Sequence, residues 1–200
     1  MTFLAQFSHH PERLDLRGSG RALFVFHCNH DPGMCDDYDY EAGANAALVL
    51  DVARMTGHAS ALPSDQPPVN HEVRIVQWLE RDDGLSPQLR SAFFKEATYS
   101  QLGEAIIDKT TDETRLAGVP LWIQSADEGP RDGWRFLGQL GWLHKFLRTP
   151  KASYPWVSPG RAGNAPFVGE GPNFGDAGLA YLFISETDDP PRAAIFWQCS

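Results

Sequence analysis

Three short apolar blocks occur twice in this chain, in the same order, and that repetition limits the folds open to it. FLAQF (Phe3–Phe7) returns as FLGQL (Phe136–Leu140), and GRALFVF (Gly20–Phe26) returns as GLAYLFI (Gly178–Ile184). EVRIVQW (Glu72–Trp78) returns as AAIFWQC (Ala193–Cys199). Blocks repeated in register point to an internal duplication. Each block is rich in Phe, Val, Ile, Leu or Tyr and bounded by Gly, Pro or Asp, the pattern of a β-strand. ALFVFHC and LAYLFIS are nearly continuous apolar runs, which predicts central strands covered on both faces. AALVLDVA (Ala46–Ala53) and PLWIQ (Pro120–Gln124) are further expected strands.

The middle of the chain reads differently. In SPQLRSAFFKEA (Ser86–Ala97), Ser86 suits an N-cap and Pro87 the first helical position. Leu89, Phe93 and Ala97 then share one face, with Phe94 beside them. YSQLGEAIID (Tyr99–Asp108) is a second short helix weakened by Gly103. Between Thr149 and Asn173 the density of Gly and Pro forbids sustained regular structure, and such a loop is either functional or mobile. The expected fold is α+β: mostly antiparallel β, with two duplicated strand-rich halves and a helical insert between them. As one domain it divides into repeat one at about 1–79, the insert at about 80–112 and repeat two at about 113–200.

Composition narrows the function. Of 200 residues, 42% are hydrophobic and 22% charged, as in ordinary soluble domains. No apolar run is long enough to span a membrane. The first residues lack the basic start, apolar stretch and cleavage site of a signal peptide, so a cytoplasmic location is expected. Three irregularly spaced cysteines are not a disulfide framework. A formal charge of −9 argues against nucleic-acid binding and leaves room for a basic protein partner.

Several clusters could carry chemistry. HCNHDPGMCDD (His27–Asp37) holds Cys28, His30 and Cys35, a candidate metal set that would need a fourth ligand such as Asp36 or His71. The competing reading is a strand end followed by an Asp-Pro-Gly turn, with Cys28 a buried apolar side chain. A Cys35–His30 nucleophile is a third possibility. The acids Asp36, Asp37, Asp39 and Glu41 fail the calcium-loop pattern and read as a solvated loop. GEGPNFGDAG (Gly169–Gly178) leads into a strand, not a helix, so it predicts a tight turn with Asp176 bonding nearby amides. Gln6, Gln124, Gln139 and Gln198 occupy matching places. They either converge on a cleft between the halves or are buried amides tying backbone together. A cleft would be lined by Gln6, Gln139, Trp122 and Asp176 and lidded by the Gly/Pro-rich loop. Trp78, Trp122 and Trp197 read as core residues before sugar platforms. No hydrolase, metalloprotease or redox motif occurs, and no cofactor is expected.

GDAGLAYLFIS and FWQCS together resemble the C-terminal signature of the YwqG-like bacterial family. RLAGVPLWIQ (Arg115–Gln124) is similar to its central motif, and FLAQF and FLGQL to its repeated Phe-Leu-x-Gln element. One departure is Ala117, where members often carry the first of two glycines. The resemblance implies a duplicated, mostly antiparallel α+β fold with no assigned activity. It also implies a non-enzymatic binding role, such as immunity against a secreted toxin. The alternative expectation is a small-molecule binder or enzyme using the cleft.

Overall fold

The computed structural model describes residues 1–28, 35–36, 38–58, 73–146, 167–170 and 172–200. Its strands grow from the apolar blocks. FLAQF lies in β1 (Thr2–Ser8), ALFVFH in β2 (Arg21–His27) and AALVLD in β3 (Ala46–Asp51). After β4 (Arg115–Leu116), FLGQL lies in β5 (Trp134–Gly141). LAYLFIS forms β8 (Leu179–Ser185) and AAIFWQ forms β9 (Ala193–Gln198). These strands make one antiparallel sheet, ordered β1-β2-β3-β9-β8-β5-β4 and curled into a half-barrel. β6 (Leu143–Phe146) and β7 (Phe167–Glu170) pair as a separate ribbon. β7 places strand within the Gly/Pro-rich segment expected to be loop, most of which lies outside the described residues.

From its centre the sheet reads alike in both directions. β1 and β5 each carry a bulge at the same Leu of the Phe-Leu-x-Gln element, between Phe3 and Ala5 and between Phe136 and Gly138. Phe3 then faces Phe26 as Phe136 faces Phe183, and Gln6 faces Phe24 as Gln139 faces Tyr181. This register matches Ala22–His27 with Leu179–Ile184, one residue away from the textual match of GRALFVF with GLAYLFI.

The third expected block is corrected. The place beside β2 belongs to β3, and Val73–Glu80 forms no strand. Val76 and Leu79 are 75% and 83% exposed, and only Trp78 packs on the core, with Arg13 over its ring. An apolar run becomes a strand only where a neighbour can take its backbone hydrogen bonds.

Side chains alternate between two faces. On the inner face a cluster including Phe7, Leu23, Val25, Ala47, Leu137, Leu140, Leu182, Ile195 and Trp197 runs across both blocks. The β1–β2 connection closes over it, burying Leu14 and Leu16. Arg17 donates to the carbonyls of Ser185 and Asp188, and Arg135 on β5 donates to that of Asp15 at 2.8 Å. On the outer face, Trp122, Phe136, Leu179, Tyr181, Phe183 and Phe196 form a second cluster over β5, β8 and β9. All seven residues of β8 are therefore buried, as a central strand requires. β2 departs from that expectation. Its outer residues Phe24 and Phe26 are half-buried, and Phe3, Leu48 and Leu50 around them are 49%, 45% and 40% exposed.

Among the described residues, three short α-helices lie between β3 and β4. In α1 (Pro87–Ala92), Pro87 starts the helix and the Ser86 hydroxyl accepts from Leu89 N–H at 3.3 Å. The helix stops before Phe93, which is fully buried with Leu85 and Val119, and α2 (Glu96–Tyr99) starts afresh. Gly103 does not weaken a helix; it precedes α3 (Glu104–Ile107) as its N-cap residue.

Candidate functional site

PLWIQ was expected as a strand, yet among the described residues no strand pairs with it. Two buried glutamines take that role. Gln139 Oε1 accepts from Leu121 N–H at 3.0 Å and from Arg115 at 3.1 Å, while its Nε2 donates to the carbonyls of Thr111 and Glu113. Gln198 Oε1 accepts from the N–H groups of Ile123 and Gln124 at 3.1 and 3.0 Å. Its Nε2 donates to Ser125 O and to Glu128 Oε2 at 2.7 Å. Tyr181 adds a hydroxyl that donates to Leu121 O at 2.8 Å and accepts from Ile123 N–H at 3.2 Å. Burial raises the Tyr181 pKa, with the Glu128 charge adding to it and outweighing the Ile123 N–H and the Arg115 cation, so the hydroxyl stays protonated and available as a donor. These side-chain bonds satisfy an extended backbone that would otherwise be stranded over an apolar cluster.

Trp122 follows from the same docking. Its ring lies 4.6 Å from that of Tyr181 and stacks on Phe196, and its Nε1–H donates to Phe93 O at 2.5 Å. Trp122 and Gln139 are thus enclosed, with their polar atoms engaged by the protein itself. Arg115 beside them is pulled down to about 10 by burial, remains charged, and also donates to Val119 O.

The expected glutamine cleft is not assembled. Gln139 and Gln198 lie beneath the docked segment, whereas Gln6 is exposed on β1 at the far edge of the sheet. Four strands, β2, β3, β9 and β8, separate β1 from β5, and the two amides do not meet. Asp176 is exposed too, and its side chain makes no turn bond. Asn173 does that work, accepting from Gly175 N–H at 3.0 Å, while the Asp176 carbonyl receives Ser200. Asn173 escaped the sequence reading because its Asx spacing to Gly175 was masked by the neighbouring glycines.

One expected residue does border a cavity. Gln124 lines a cleft of about 510 Å³ with Tyr38, Asp39, Glu128, Trp197 and Cys199. Its wall on one side is the docked segment, with Glu128 oriented by Gln198. The other side is the acidic loop, where Asp39 accepts from Glu41 N–H at 2.8 Å and Tyr38 donates to Asp36 at 3.2 Å. Two carboxylates and two aromatic rings around one hollow suit a cation. Sequence reading treated the acidic loop as solvent-facing because nothing local shows that it folds against 124–128.

At the end of β2, Cys28 N–H donates to Asn45 Oδ1 at 3.2 Å, and Cys28 and Cys35 bring their sulfurs within 3.2 Å. His30, the third member of the metal set, and His71, a candidate fourth, lie outside the described residues. Among the described residues no three His, Cys, Asp or Glu side chains gather as a metal site, and no helix is long and apolar enough to cross a membrane. His27 faces the other way into the core, 1% exposed against Phe174, with neither ring nitrogen bonded. Burial lowers its pKa to about 4, so it is neutral. Among known proteins, no family model, no curated sequence and no solved structure matches this chain.

Proposed function

We propose that the protein is a non-enzymatic binding protein whose cleft receives a basic side chain of a protein partner. The observation that carries this reading is the pairing of Asp39 and Glu128 with Tyr38 and Trp197 around one hollow. The chain's charge of −9 would steer a basic partner toward it. A toxin held inactive by occlusion is the partner that the YwqG-like resemblance suggests. The matching bulges and glutamines of β1 and β5 support both that resemblance and descent of the two blocks from one duplicated unit.

Co-purification from native cells with the products of neighbouring genes tests it, wild type against an Asp39→Lys, Glu128→Lys double variant. A basic protein held by the wild type and lost from the variant is expected. Equal retention by both, or no bound protein together with unchanged toxin sensitivity on gene deletion, sinks it. The cleft's volume also suits a small molecule, which keeps a cationic metabolite as the second reading. Retention of such a compound by the wild type, with no protein bound, would select it.

A further inference from the structure

We propose that Cys28 and Cys35 form a redox-active dithiol that closes reversibly to an intramolecular disulfide. Their sulfurs stand 3.2 Å apart, and both residues are partly exposed, so a small oxidant can reach them. A disulfide needs the sulfurs about 1.2 Å closer, at ~2.0 Å, a shift small beside the reach of two side-chain rotations. The end of β2 fixes one partner, since Cys28 N–H is anchored on the buried Asn45. Cys35 begins the acidic loop whose Tyr38 and Asp39 border the cleft. Oxidation would therefore staple that loop to the sheet. The third cysteine, Cys199, lies at the C-terminal end of β9 against Trp197 and Gly175 and takes no part. The dithiol stands whether or not the cleft binds a basic partner.

The oxidant is a low-molecular-weight disulfide such as oxidised glutathione. A thiolate of the pair attacks one of its sulfurs, forming a mixed disulfide and expelling one glutathione thiolate. The second protein thiolate attacks the protein sulfur of that mixed disulfide, forming the Cys28–Cys35 bond and expelling a second glutathione. Two electrons pass to the oxidant, and the two protons of the protein thiols end on the two glutathiones.

The purified full chain, equilibrated in graded ratios of reduced to oxidised glutathione, is alkylated and its peptides are weighed. The expected result is joint loss of alkylation at Cys28 and Cys35, with a peptide linking them and Cys199 still labelled. Reductant should restore all three sites. Cys35→Ser should leave Cys28 as a mixed disulfide or a thiol, whereas Cys199→Ser should oxidise as the wild type does. Full labelling at every ratio, or a link that includes Cys199, overturns the proposal. So does protection released by a chelator without a reductant, which would mark a thiolate-bound metal.

Discussion

The β1–β2–β3 block and the β5–β8–β9 block share order, bulge and register, yet among the described residues the outer face of only one is covered. Over the second block the chain lays down its own segment 119–128, held by Gln139, Gln198 and Tyr181. The first block keeps Gln6 where the second has Gln139, but Phe24 stands where Tyr181 does and Leu50 faces Ala22 where Gln198 faces Leu179. With two of three polar anchors gone, no segment among the described residues is tied down there, and the apolar side chains Phe3, Leu48 and Leu50 are exposed. A shared strand framework thus fixes architecture, while a few polar side chains decide which face is sealed and where a cleft opens. The cleft lies against the sealed segment, because only a held backbone can present Gln124 and Glu128 in a fixed place.

The largest break in the comparison should come from the paired glutamines. Gln139→Leu leaves the N–H of Leu121 and the carbonyls of Thr111 and Glu113 without their partner, at a cost of about 3–5 kcal/mol from buried unsatisfied groups. Gln6→Leu, at an exposed amide, should stay within about 0.5 kcal/mol. Urea denaturation of the two variants measures both, and equal costs would show the blocks to be equivalent.

Next come the small residues after each bulge. A Cβ on Gly138 would sit 2.4 Å from Arg115 O, because β4 presses on β5 there. Ala5 holds the matching place on β1, which among the described strands is the edge of the sheet. Gly138→Ala should cost about 2–3 kcal/mol, and Ala5→Gly about 0.5–1 kcal/mol. A Gly138→Ala protein that melts like the wild type would place β4 elsewhere.

His27 occupies the position of Ile184 and invites a graft between blocks. With its folded pKa lowered to about 4 and an unfolded value near 6.5, the unfolded chain binds the proton first. The favourable contribution is complete above about pH 6.5 and is lost as pH falls toward 4, amounting to about 3 kcal/mol. His27→Ile removes two unbonded ring nitrogens and should stabilise by about 1–2 kcal/mol at pH 7. The gain over wild type should widen between pH 6.5 and 4; a gain constant with pH would mean that His27 is charged or solvated when folded.

The smallest effect concerns the turn after β4. Ala117 and Gly118 both hold positive φ, 60° and 79°, the left-handed region that favours glycine. Ala117→Gly should raise stability by about 0.5–1 kcal/mol, readable in a melting curve, and a loss would show that the turn tolerates its alanine without strain.

Much of the framework was legible because apolar strands announce themselves by composition. LAYLFIS, FLGQL and the Ser86–Pro87 helix start lie where local chemistry puts them. What misled was local resemblance without a partner: EVRIVQW looks like AAIFWQC, but β3 had already filled the neighbouring place. PLWIQ looks like a strand because it is extended, and its backbone is paired by side chains that come from 18 and 75 residues away. Gln124 was singled out and does border the cleft, whereas Asp39 reads from sequence only as part of a solvated loop and Tyr38 and Glu128 carry no local signal, since their meeting depends on tertiary folding alone.

Backbone hydrogen exchange at Leu121, Ile123 and Gln124 tests the glutamine clamp most directly. Protection approaching that of the β8 amides, lost selectively in Gln139→Leu, is the predicted outcome. Exchange as fast as in Val73–Glu80 would mean that the segment is not held and that the cleft wall it forms is not prebuilt.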